Sequence, residues 1–319
     1  MSCRLSRRAA LAALSGAVSI AAFGSARATA PVLRLADQKG GLAALLHAAG
    51  ELNNIPYRLE AAQFQAAAPL FEALNAGAVD VAWAGDAPTT FALANGTPAH
   101  IVSAHRSNGA GTALVVKADS PVSTVADLPG RRIGTSRGSI GQALVIAALR
   151  ARNLKADAVT YAYLLPAEAK TALEAGAIDV WATWGVFVAQ ARLVDRDRVI
   201  VDGSNGLLSG LGYLNALDTA ISEKPQLLRD FVGRAARASR WSVSHVDEYA
   251  RDWAAAVRVA FDVARLSFTT APTVAVPIDD SVIADQQRTT DLYVDAGLIA
   301  RRIDSRGFFD AAFNDAVGA

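Results

Sequence analysis

The sequence predicts an α/β protein made of two units, each a mostly parallel sheet flanked by helices. Short apolar segments rich in β-branched residues alternate with longer segments that carry a helical stripe of apolar residues. A second observation is a partial repeat, since residues 73–81 (ALNAGAVDV) and 172–180 (ALEAGAIDV) agree at seven of nine positions. The repeat indicates either a structural duplication or one common helix-to-strand connection used twice. Both interpretations give two α/β units of similar build.

The second copy of the repeat lies in the stretch around which the chain is organised, residues 166–187. A helix is predicted over 166–175, because Pro166 suits a first helical position and Gly176 suits the position just past the end. The strand that follows, 178–182, is too apolar for an exposed edge and is expected inside a sheet covered on both faces. We therefore expect Trp181 in the core and a new turn at Trp184 and Gly185.

The first 28 residues have the pattern of an export signal rather than of a folded element. Arginines precede an apolar run at 9–23, and a small-x-small site ends at Ala28, after which cleavage is expected. The run is too short for a stable membrane-spanning helix. The pair Arg7-Arg8 resembles a twin-arginine signal, but the usual aromatic residue after it is absent, so ordinary secretion stays open.

Cysteine usage and charge exclude several classes of function. The only cysteine is Cys3, inside the predicted signal, so the mature chain has no disulfide, no Cys-ligated zinc and no Cys nucleophile. The chain has 31 basic and 30 acidic residues, and loss of the four arginines of residues 1–28 leaves 27 basic residues and a net charge of −3. This balance indicates neither a nucleic-acid nor an anionic-membrane partner. The remaining length, about 290 residues, suffices for two cores.

In the first unit, strands and helices alternate along the chain. Strands are predicted at 32–37, 57–61, 79–83, 100–105 and 113–116, with helices at 42–52 and 66–74. Turn residues at 119–130 interrupt the alternation, so the crossing into a second unit is placed there. That unit is predicted to contain strands at 132–135, 159–164, 178–182 and 199–202, with helices at 140–152 and 166–175. A strand at 211–214 returns the chain to the first unit, followed by helices at 225–245, 246–259 and 280–296.

Three turns share one layout, in which an apolar strand is followed by small residues and then by a helix. They are Gln38-Lys39-Gly40-Gly41, Gly85-Asp86-Ala87 and Gly138-Ser139-Ile140. Ligands of open α/β sheets bind beyond the carboxyl ends of the strands, where helix starts present free N–H groups and partial positive charge. Three converging turns predict a site for an anionic head group held by neutral donors. For any single turn taken alone, ordinary turn chemistry is the favoured interpretation.

Individual residues near these turns have alternative roles. Asp86 is expected to cap a helix that begins at Pro88, and Ser139 to cap its own helix. Trp83 and Trp184 both end strands, and Trp184 is the preferred candidate for the wall of an apolar pocket. The four histidines form no metal motif, and the sequence contains neither a G-x-S-x-G elbow nor a phosphate-binding loop. We therefore expect no cofactor, no metal and no catalytic residues.

Several motifs resemble the sulfonate/taurine/nitrate-type periplasmic solute-binding proteins of ABC importers. Residues 83–88 (WAGDAP) resemble that family's T-G-D-x-P turn, 127–134 (DLPGRRIG) its D-L-K-G-K opening of the second lobe, and 137–142 (RGSIGQ) its K-G-S-S-A helix start. Residues 164–169 (LLPAEA), 176–181 (GAIDVW) and Trp184 follow its L-x-P-x-D-A and G-x-V-D-A-W-x-x-W patterns. Residues 286–304 resemble its C-terminal helix and tail. The resemblance extends over nearly the whole mature chain.

The resemblance implies the type II periplasmic-binding-protein fold, with two lobes joined by a two-strand hinge near Val116 and Leu211. Lobe 1 is expected at 29–116 plus 213–319, and lobe 2 at 117–212. The implied function is the binding of a small organic anion, an alkyl or aryl sulfonate, for delivery by a monomeric periplasmic protein to an ABC permease in the inner membrane. The resemblance implies Gln38, Gly85, Asp86, Ala87 and Ser139 as ligand-binding residues. The helix start after Ser139 adds Ile140 to the predicted site, and the strand-end position adds Trp184.

The chain departs from the family pattern at one position of the site. The family's W-D-P-Y is Trp184-Gly185-Val186-Phe187 here, which removes a carboxylate and a phenol and favours a more apolar ligand over one with an ammonium group. One alternative function is an enzyme on the same fold, desulfinase-like or pyrimidine-precursor synthase-like, but those relatives use a cysteine that this mature chain lacks. A second alternative is a ligand-sensing domain for a membrane receptor.

Overall fold

A computed structural model describes residues 30–38 and 40–318, so the predicted signal peptide and its cleavage site lie outside the described residues. From Pro31 onward the chain forms one compact unit that contains two mixed β-sheets flanked by helices. The first sheet contains the strands β1 (Val32–Gln38), β2 (Arg58–Phe64), β3 (Val81–Gly85), β4 (Ala99–Arg106), β10 (Leu211–Leu217) and β11 (Val274–Val276). The second contains β5 (Thr112–Val116), β6 (Arg132–Thr135), β7 (Thr160–Tyr163), β8 (Val180–Trp184) and β9 (Arg198–Asp202).

The helices fall into two groups according to the sheet that they accompany. Those with the first sheet are α1 (Leu42–Ala48), α2 (Ala67–Asn75), α3 (Asp86–Ala94), α7 (Asp218–Glu223), α8 (Pro225–Ser244), α9 (Val246–Val257), α10 (Phe261–Thr270), α11 (Asp280–Asp295) and α12 (Asn314–Val317). Those with the second sheet are α4 (Ile140–Arg150), α5 (Pro166–Glu174) and α6 (Val186–Leu193). No helix of the described residues is long and apolar enough to cross a membrane.

The two sheets have the same strand arrangement. The first has the order β11-β4-β10-β3-β1-β2, and the second, taken from its other edge, has β9-β5-β8-β6-β7. In both, a central strand pairs in parallel with two neighbours, and one antiparallel strand, β10 or β5, is inserted next to the third. The β/α alternation therefore predicted the architecture correctly, and the two-lobed α/β fold is confirmed.

The partial repeat occupies equivalent positions in the two sheets. Residues 73–81 run from α2 into β3, and residues 172–180 run from α5 into β8. The Asp80 carboxylate accepts the backbone N–H of Arg34 on β1 at 2.8 Å, and the Asp179 carboxylate accepts that of Arg132 on β6 at the same distance. The aspartate that both copies of the repeat contain therefore links the start of β3 to β1 and the start of β8 to β6.

The chain crosses between the sheets twice, at 107–111 and at 203–210. The two crossing segments touch, since Ser107 N donates to Gly210 O at 2.8 Å and a Cβ on Gly109 would lie 2.3 Å from Gly203 O. Gly109 also has a φ of +82°, which favours glycine. The predicted boundary at Val116 would put β5 in lobe 1, but β5 pairs with β8 and β9 of the second sheet. The remaining lobe boundaries stay a prediction.

Some elements differ from those that the sequence predicts. Helix α1 is shorter than predicted, and α3 begins at Asp86 rather than Pro88. The pattern analysis missed α6, α7, α10, α12 and β11. As expected, Trp181 is in the core, with an exposed fraction of 1%. The central strands are buried on both faces, which fits their nearly continuous apolar sequences.

Candidate functional site

The carboxyl ends of β1, β3 and β4 meet at one edge of the first sheet, where ligands of such folds bind. A cavity of about 160 Å³ lies at this edge, between the sheet and the helices α8 to α10. The residues that line it come from the β1–α1 turn, from β3 and β4, and from these helices and the segment after them: Gly40, Gly41, Leu42, Leu45, Trp83, His105, Ser239, Ser242, Val243, Val246, Tyr249, Phe268, Ala271, Pro272 and Thr273.

Two aromatic contacts shape the cavity. The rings of Trp83 and His105 meet edge to face with 4.7 Å between centroids, and those of Tyr249 and Phe268 stack at 4.1 Å. Burial lowers the pKa of His105 to about 3, so its imidazole is neutral at physiological pH. The side chains that line the cavity therefore carry no net charge, and most of them are apolar.

The first predicted turn is already occupied by a carboxylate of the protein. Asp37, the residue before Gln38, is fully buried and accepts the N–H of Ala43 at 2.8 Å, and also the N–H groups of Leu42 and Gln38. Burial raises the pKa of Asp37 to about 6, while these hydrogen bonds act in the opposite direction. Because the Asp37 carboxylate accepts the free N–H groups at the start of α1 and lies against its positive end, this helix start is unfavourable for a second anion.

The second predicted turn also contains a buried carboxylate. Asp86 is the first residue of α3 and Gly85 its N-cap, so the expected capping role of Asp86 at Pro88 is wrong. Its carboxylate accepts the hydroxyls of Ser209 at 2.5 Å and Thr289 at 2.8 Å, and the N–H of Ala87 at 2.7 Å. Burial raises the pKa of Asp86, and these donors oppose that rise. The side chain thus joins α3 to α11 and to the second crossing segment, and it is not exposed to a ligand.

The third predicted turn differs from the other two because no carboxylate occupies it. Ser139 is the N-cap of α4, as expected, and its hydroxyl accepts the N–H of Gln142 at 3.2 Å and lies 3.1 Å from Thr135 Oγ1. In the described part of the chain, the N–H groups of Ile140 and Gly141 donate to no protein acceptor. The start of α4 is therefore the helix end with unsatisfied donors and uncompensated dipole.

The structure brings some predicted residues together and separates others. A Cβ on Gly85 would lie 3.7 Å from Ile140 Cδ1, so the second and third turns face each other between the sheets. The Tyr293 hydroxyl on α11 also donates to Ser139 O at 3.0 Å. Gln38 ends β1, next to the turn that lines the cavity. Trp184 ends β8 in the second sheet and is not among the residues that line the cavity.

Sequence reasoning missed most of the cavity. The sequence pattern places Trp83 at the end of its strand and favours Trp184 as the pocket wall, whereas Trp83 lies within β3 and lines the cavity. His105, Tyr249 and Phe268 had no signal except that each is an aromatic or imidazole ring in an apolar pattern, which is equally typical of core residues. No group of three or more His, Cys, Asp or Glu side chains in the described residues is arranged to hold a metal ion.

Comparison with curated proteins identifies similar chains of nearly equal length. A protein of Escherichia coli (strain K12) named as an aliphatic sulfonates-binding protein is 29% identical over 299 residues, which cover 92% of this chain and 93% of the relative. A protein of Bacillus subtilis (strain 168) with the same name is 24% identical over 251 residues, covering 79% of this chain and 76% of the relative.

Solved structures agree in fold. The alkanesulfonate-binding protein SsuA from Xanthomonas axonopodis pv. citri, bound to MOPS, superimposes with a TM-score of 0.82 at 27% identity, covering 89% of this chain and 99% of that one. The desulfurization enzyme DszB shares the fold alone, with a TM-score of 0.63 at 16% identity and coverages of 90% and 99%. The profile of the family described as NMT1/THI5 like matches residues 65–248, more than half of the sequence. The chain therefore belongs to the NMT1/THI5-like family.

Proposed function

We propose that this protein binds a small organosulfonate in the periplasm and delivers it to an ABC permease. The observation that carries the proposal is the start of α4, where the N–H groups of Ile140 and Gly141 donate to no protein acceptor in the described residues and the N-cap is the hydroxyl of Ser139 rather than a carboxylate. A sulfonate presents three equivalent anionic oxygens and stays ionised at physiological pH. One helix start favours such an anion by roughly 0.3–1 kcal/mol, and by more when the site is buried.

Similarity to sulfonate-binding proteins over nearly the full length supports the same function. We place the chain in the periplasm after cleavage of residues 1–28 near Ala28, by either the twin-arginine or the general secretory route, and we expect a monomer. Of the predicted ligand-binding residues, Ser139, Ile140 and Gly85 form the head-group site in this proposal. Asp86 is assigned a structural role instead, because its carboxylate would repel the anion and already has three donors.

The enzyme alternative has support only from the fold that the chain shares with DszB. The single cysteine, Cys3, lies in the predicted signal, and the described residues hold no metal-binding cluster. The cavity contains one imidazole, His105, which burial keeps neutral, and the hydroxyl that lies 3.3 Å from its Nε2, Ser103 Oγ, is fully buried and does not line the cavity. We therefore assign the protein a binding function and no catalysis.

A thermal-shift panel tests the proposal directly. Alkyl and aryl sulfonates are expected to raise the melting temperature, since ligand at a hundred times its Kd adds about 2.7 kcal/mol to the free energy of unfolding. Sulfate esters, nitrate, bicarbonate, amino acids and sugars serve as comparison ligands. Stabilisation by amino acids or sugars alone would show that the head group is not an organosulfonate.

The same assay with Ser139→Ala tests the head-group site. A hydrogen bond to a charged partner is worth about 1.5–3 kcal/mol, so affinity for the best sulfonate should fall by roughly one to two powers of ten. Loss of the N-cap alone costs about 1 kcal/mol of stability. Asp279→Ala, which removes the N-cap of α11, is the matched control and should lower stability without lowering affinity. Equal affinity of Ser139→Ala and the parent would place the head group elsewhere.

A further inference from the structure

We infer that the cavity under α8 to α10 receives the uncharged tail of the ligand, and that this tail is a single aromatic ring. The inference rests on the proposed function, because it assigns the sulfonate head to the start of α4 and the tail to the first lobe. It makes the ligand class a monocyclic arenesulfonate. Every side chain that lines the cavity belongs to residues 40–105 or 239–273, so the ring would contact lobe 1 only.

The size of the cavity fits one ring. At about 160 Å³ it is close to the volume of about 150 Å³ at which an engineered apolar cavity in another protein stays dry and binds benzene. A methyl or ethyl group would leave much of this space empty, and the contacts with the surrounding side chains would be lost. The volume therefore favours a tail of about six carbon atoms over the smallest alkyl tails.

The chemistry of the walls fits an aromatic ring. Trp83, Tyr249 and Phe268 present ring faces and edges, and neighbouring aromatic rings prefer edge-to-face or offset contacts of the kind already present between Trp83 and His105. His105 is neutral, and the cavity offers no counter-ion for an ammonium or carboxylate on the tail. A charged tail would lose its hydration there without a partner, which is costly.

Two glycines lie between Trp83, which lines the cavity, and Ile140, at the proposed head-group site. Gly85 and Gly212 face each other on β3 and β10, on the same side of the sheet as Trp83. A Cβ on Gly212 would lie 3.6 Å from the Trp83 ring, and one on Gly85 would lie 3.7 Å from Ile140 Cδ1. The cavity wall and the start of α4, where the sulfonate is proposed to bind, are therefore neighbours across the two glycines, with the side chains of Trp83 and Ile140 packed against them.

This geometry separates two contributions to binding. The ring is held by lobe 1 in any arrangement of the lobes, whereas the head group needs α4 of the second sheet. Burying an aromatic ring is expected to raise affinity by about tenfold to a hundredfold over a methyl tail. Benzenesulfonate should accordingly bind at least tenfold more tightly than methanesulfonate, measured by titration calorimetry on the mature protein.

The variant Val246→Phe tests the location of the ring. Val246 is half-buried at the start of α9 and lines the cavity, so a phenyl group there would occupy the space of the ligand ring. Affinity for benzenesulfonate should fall at least tenfold, while affinity for methanesulfonate should change less than twofold. Val194→Phe, at a position 63% exposed after α6 and remote from the cavity, is the matched control and should bind both ligands as the parent does.

A second variant, Gly212→Ala, is expected to be well tolerated, because its Cβ would make only ordinary contacts with Trp83 and with Ala84 O. It should weaken benzenesulfonate binding selectively, because the added methyl group lies against the Trp83 ring that lines the cavity. If methanesulfonate and benzenesulfonate bind the parent equally, or if both variants weaken the two ligands to the same extent, the ring does not lie in this cavity, although the protein still binds sulfonates. If no sulfonate binds the parent, the proposed function fails and the inference fails with it.

Discussion

Asp37 determines how the start of α1 behaves toward an anion. Its carboxylate accepts hydrogen bonds from the N–H groups of Leu42 and Ala43, which the turn sequence by itself predicts to be available to a ligand. At the start of α4 the N-cap residue, Ser139, provides only a hydroxyl. The Asp37 carboxylate therefore makes the start of α1 unfavourable for an anion, whereas the start of α4, which follows a turn of similar sequence, stays favourable for one.

The raised pKa of Asp37 predicts a pH dependence of stability. The folded pKa is about 6 and the ordinary value is 3.8, so between these values the native state binds the proton more tightly than the unfolded chain. The stabilisation from protonation is fully present below about pH 4 and is lost as the pH rises through about 6. Over this range the parent should lose roughly 2–3 kcal/mol relative to Asp37→Asn.

Urea unfolding of the parent and of Asp37→Asn at intervals from pH 4 to pH 7 measures this difference. Asp279→Asn is a useful control of opposite sign, because hydrogen bonds from Ser281 and Val282 lower the pKa of Asp279. Its contribution to stability is present above the ordinary pKa and lost as the pH falls. A constant difference between the parent and Asp37→Asn would mean that Asp37 is not buried as a titrating carboxyl group.

At the scale of elements, the repeated connection from helix to strand is held by the same pair of side chains in both sheets. The guanidinium of Arg34 donates to the Asp80 carboxylate and to Gly77 O, and that of Arg132 donates to the Asp179 carboxylate and to Gly176 O. The glycine carbonyl marks the end of α2 or α5 in each case. This equivalence favours structural duplication over chance reuse of a common connection.

The two copies differ in burial, and this difference predicts unequal costs of mutation. The Asp80 side chain is 5% exposed and also binds the Lys224 ammonium at 2.8 Å, whereas the Asp179 side chain is 29% exposed. Asp80→Asn should cost about 2–4 kcal/mol, because it leaves two partly buried cations without their counter-ion. Asp179→Asn should cost under about 1 kcal/mol. Urea unfolding at neutral pH measures both, and equal costs would contradict the role assigned to burial.

Sequence pattern predicted the elements whose signals are local. The β/α alternation and the helix start at Ser139 depend on residues within a few positions of each other, and both were found. Helix α10 was missed because its apolar residues, such as Phe268, pack against α9 and α6 rather than against the sheet. Because α10 packs against two other helices, its apolar pattern does not identify it as a helix from the sequence alone.

The cavity could not be predicted for a related reason. Trp83 lies within β3 and Trp184 ends β8, and nothing within several residues of either one distinguishes a cavity wall from a packed side chain. The distinction depends on α8 to α10, which follow Trp83 by more than 140 residues and cover one face of the first sheet only. Similarly, the hydrogen bonds from Ser209 and Thr289 to Asp86 join segments that are distant in sequence, so the local pattern did not predict them.

At the scale of the whole molecule, the two lobes meet on both sides of the proposed site. On one side, α3 and α11 pack against α4 through an apolar cluster that includes Tyr293 and Ile146. On the other, α10 packs against α6, and Val186 contacts the cluster of α9 and α10 that includes Tyr249 and Trp253. The glycine-lined crossing segments link the two lobes. A ligand held at α4 and in the lobe 1 cavity should stabilise this closed arrangement.

Val186→Ala tests whether the contact of α6 with α9 and α10 sets the closed population. Removing two methyl groups should weaken the closed state by about 1–1.5 kcal/mol, and the apparent affinity falls with the fraction of binding-competent protein. The Kd for the best sulfonate should therefore rise about fivefold to tenfold where the free protein is mostly open. Small-angle scattering should show a smaller radius of gyration for the parent with ligand than without, and more ligand should be needed to reach it in the variant.

The control is Val188→Ala, two residues further along the same helix. Val188 is buried within the second lobe, against Trp181 and Ala191, so its truncation should lower the melting temperature without changing lobe closure. The two valines thus separate the stability of one lobe from the equilibrium between lobes. Parental affinity and an unchanged scattering response in Val186→Ala would mean that the α6 contact is not part of the binding equilibrium, and that the hinge and the α3–α4–α11 cluster alone determine closure.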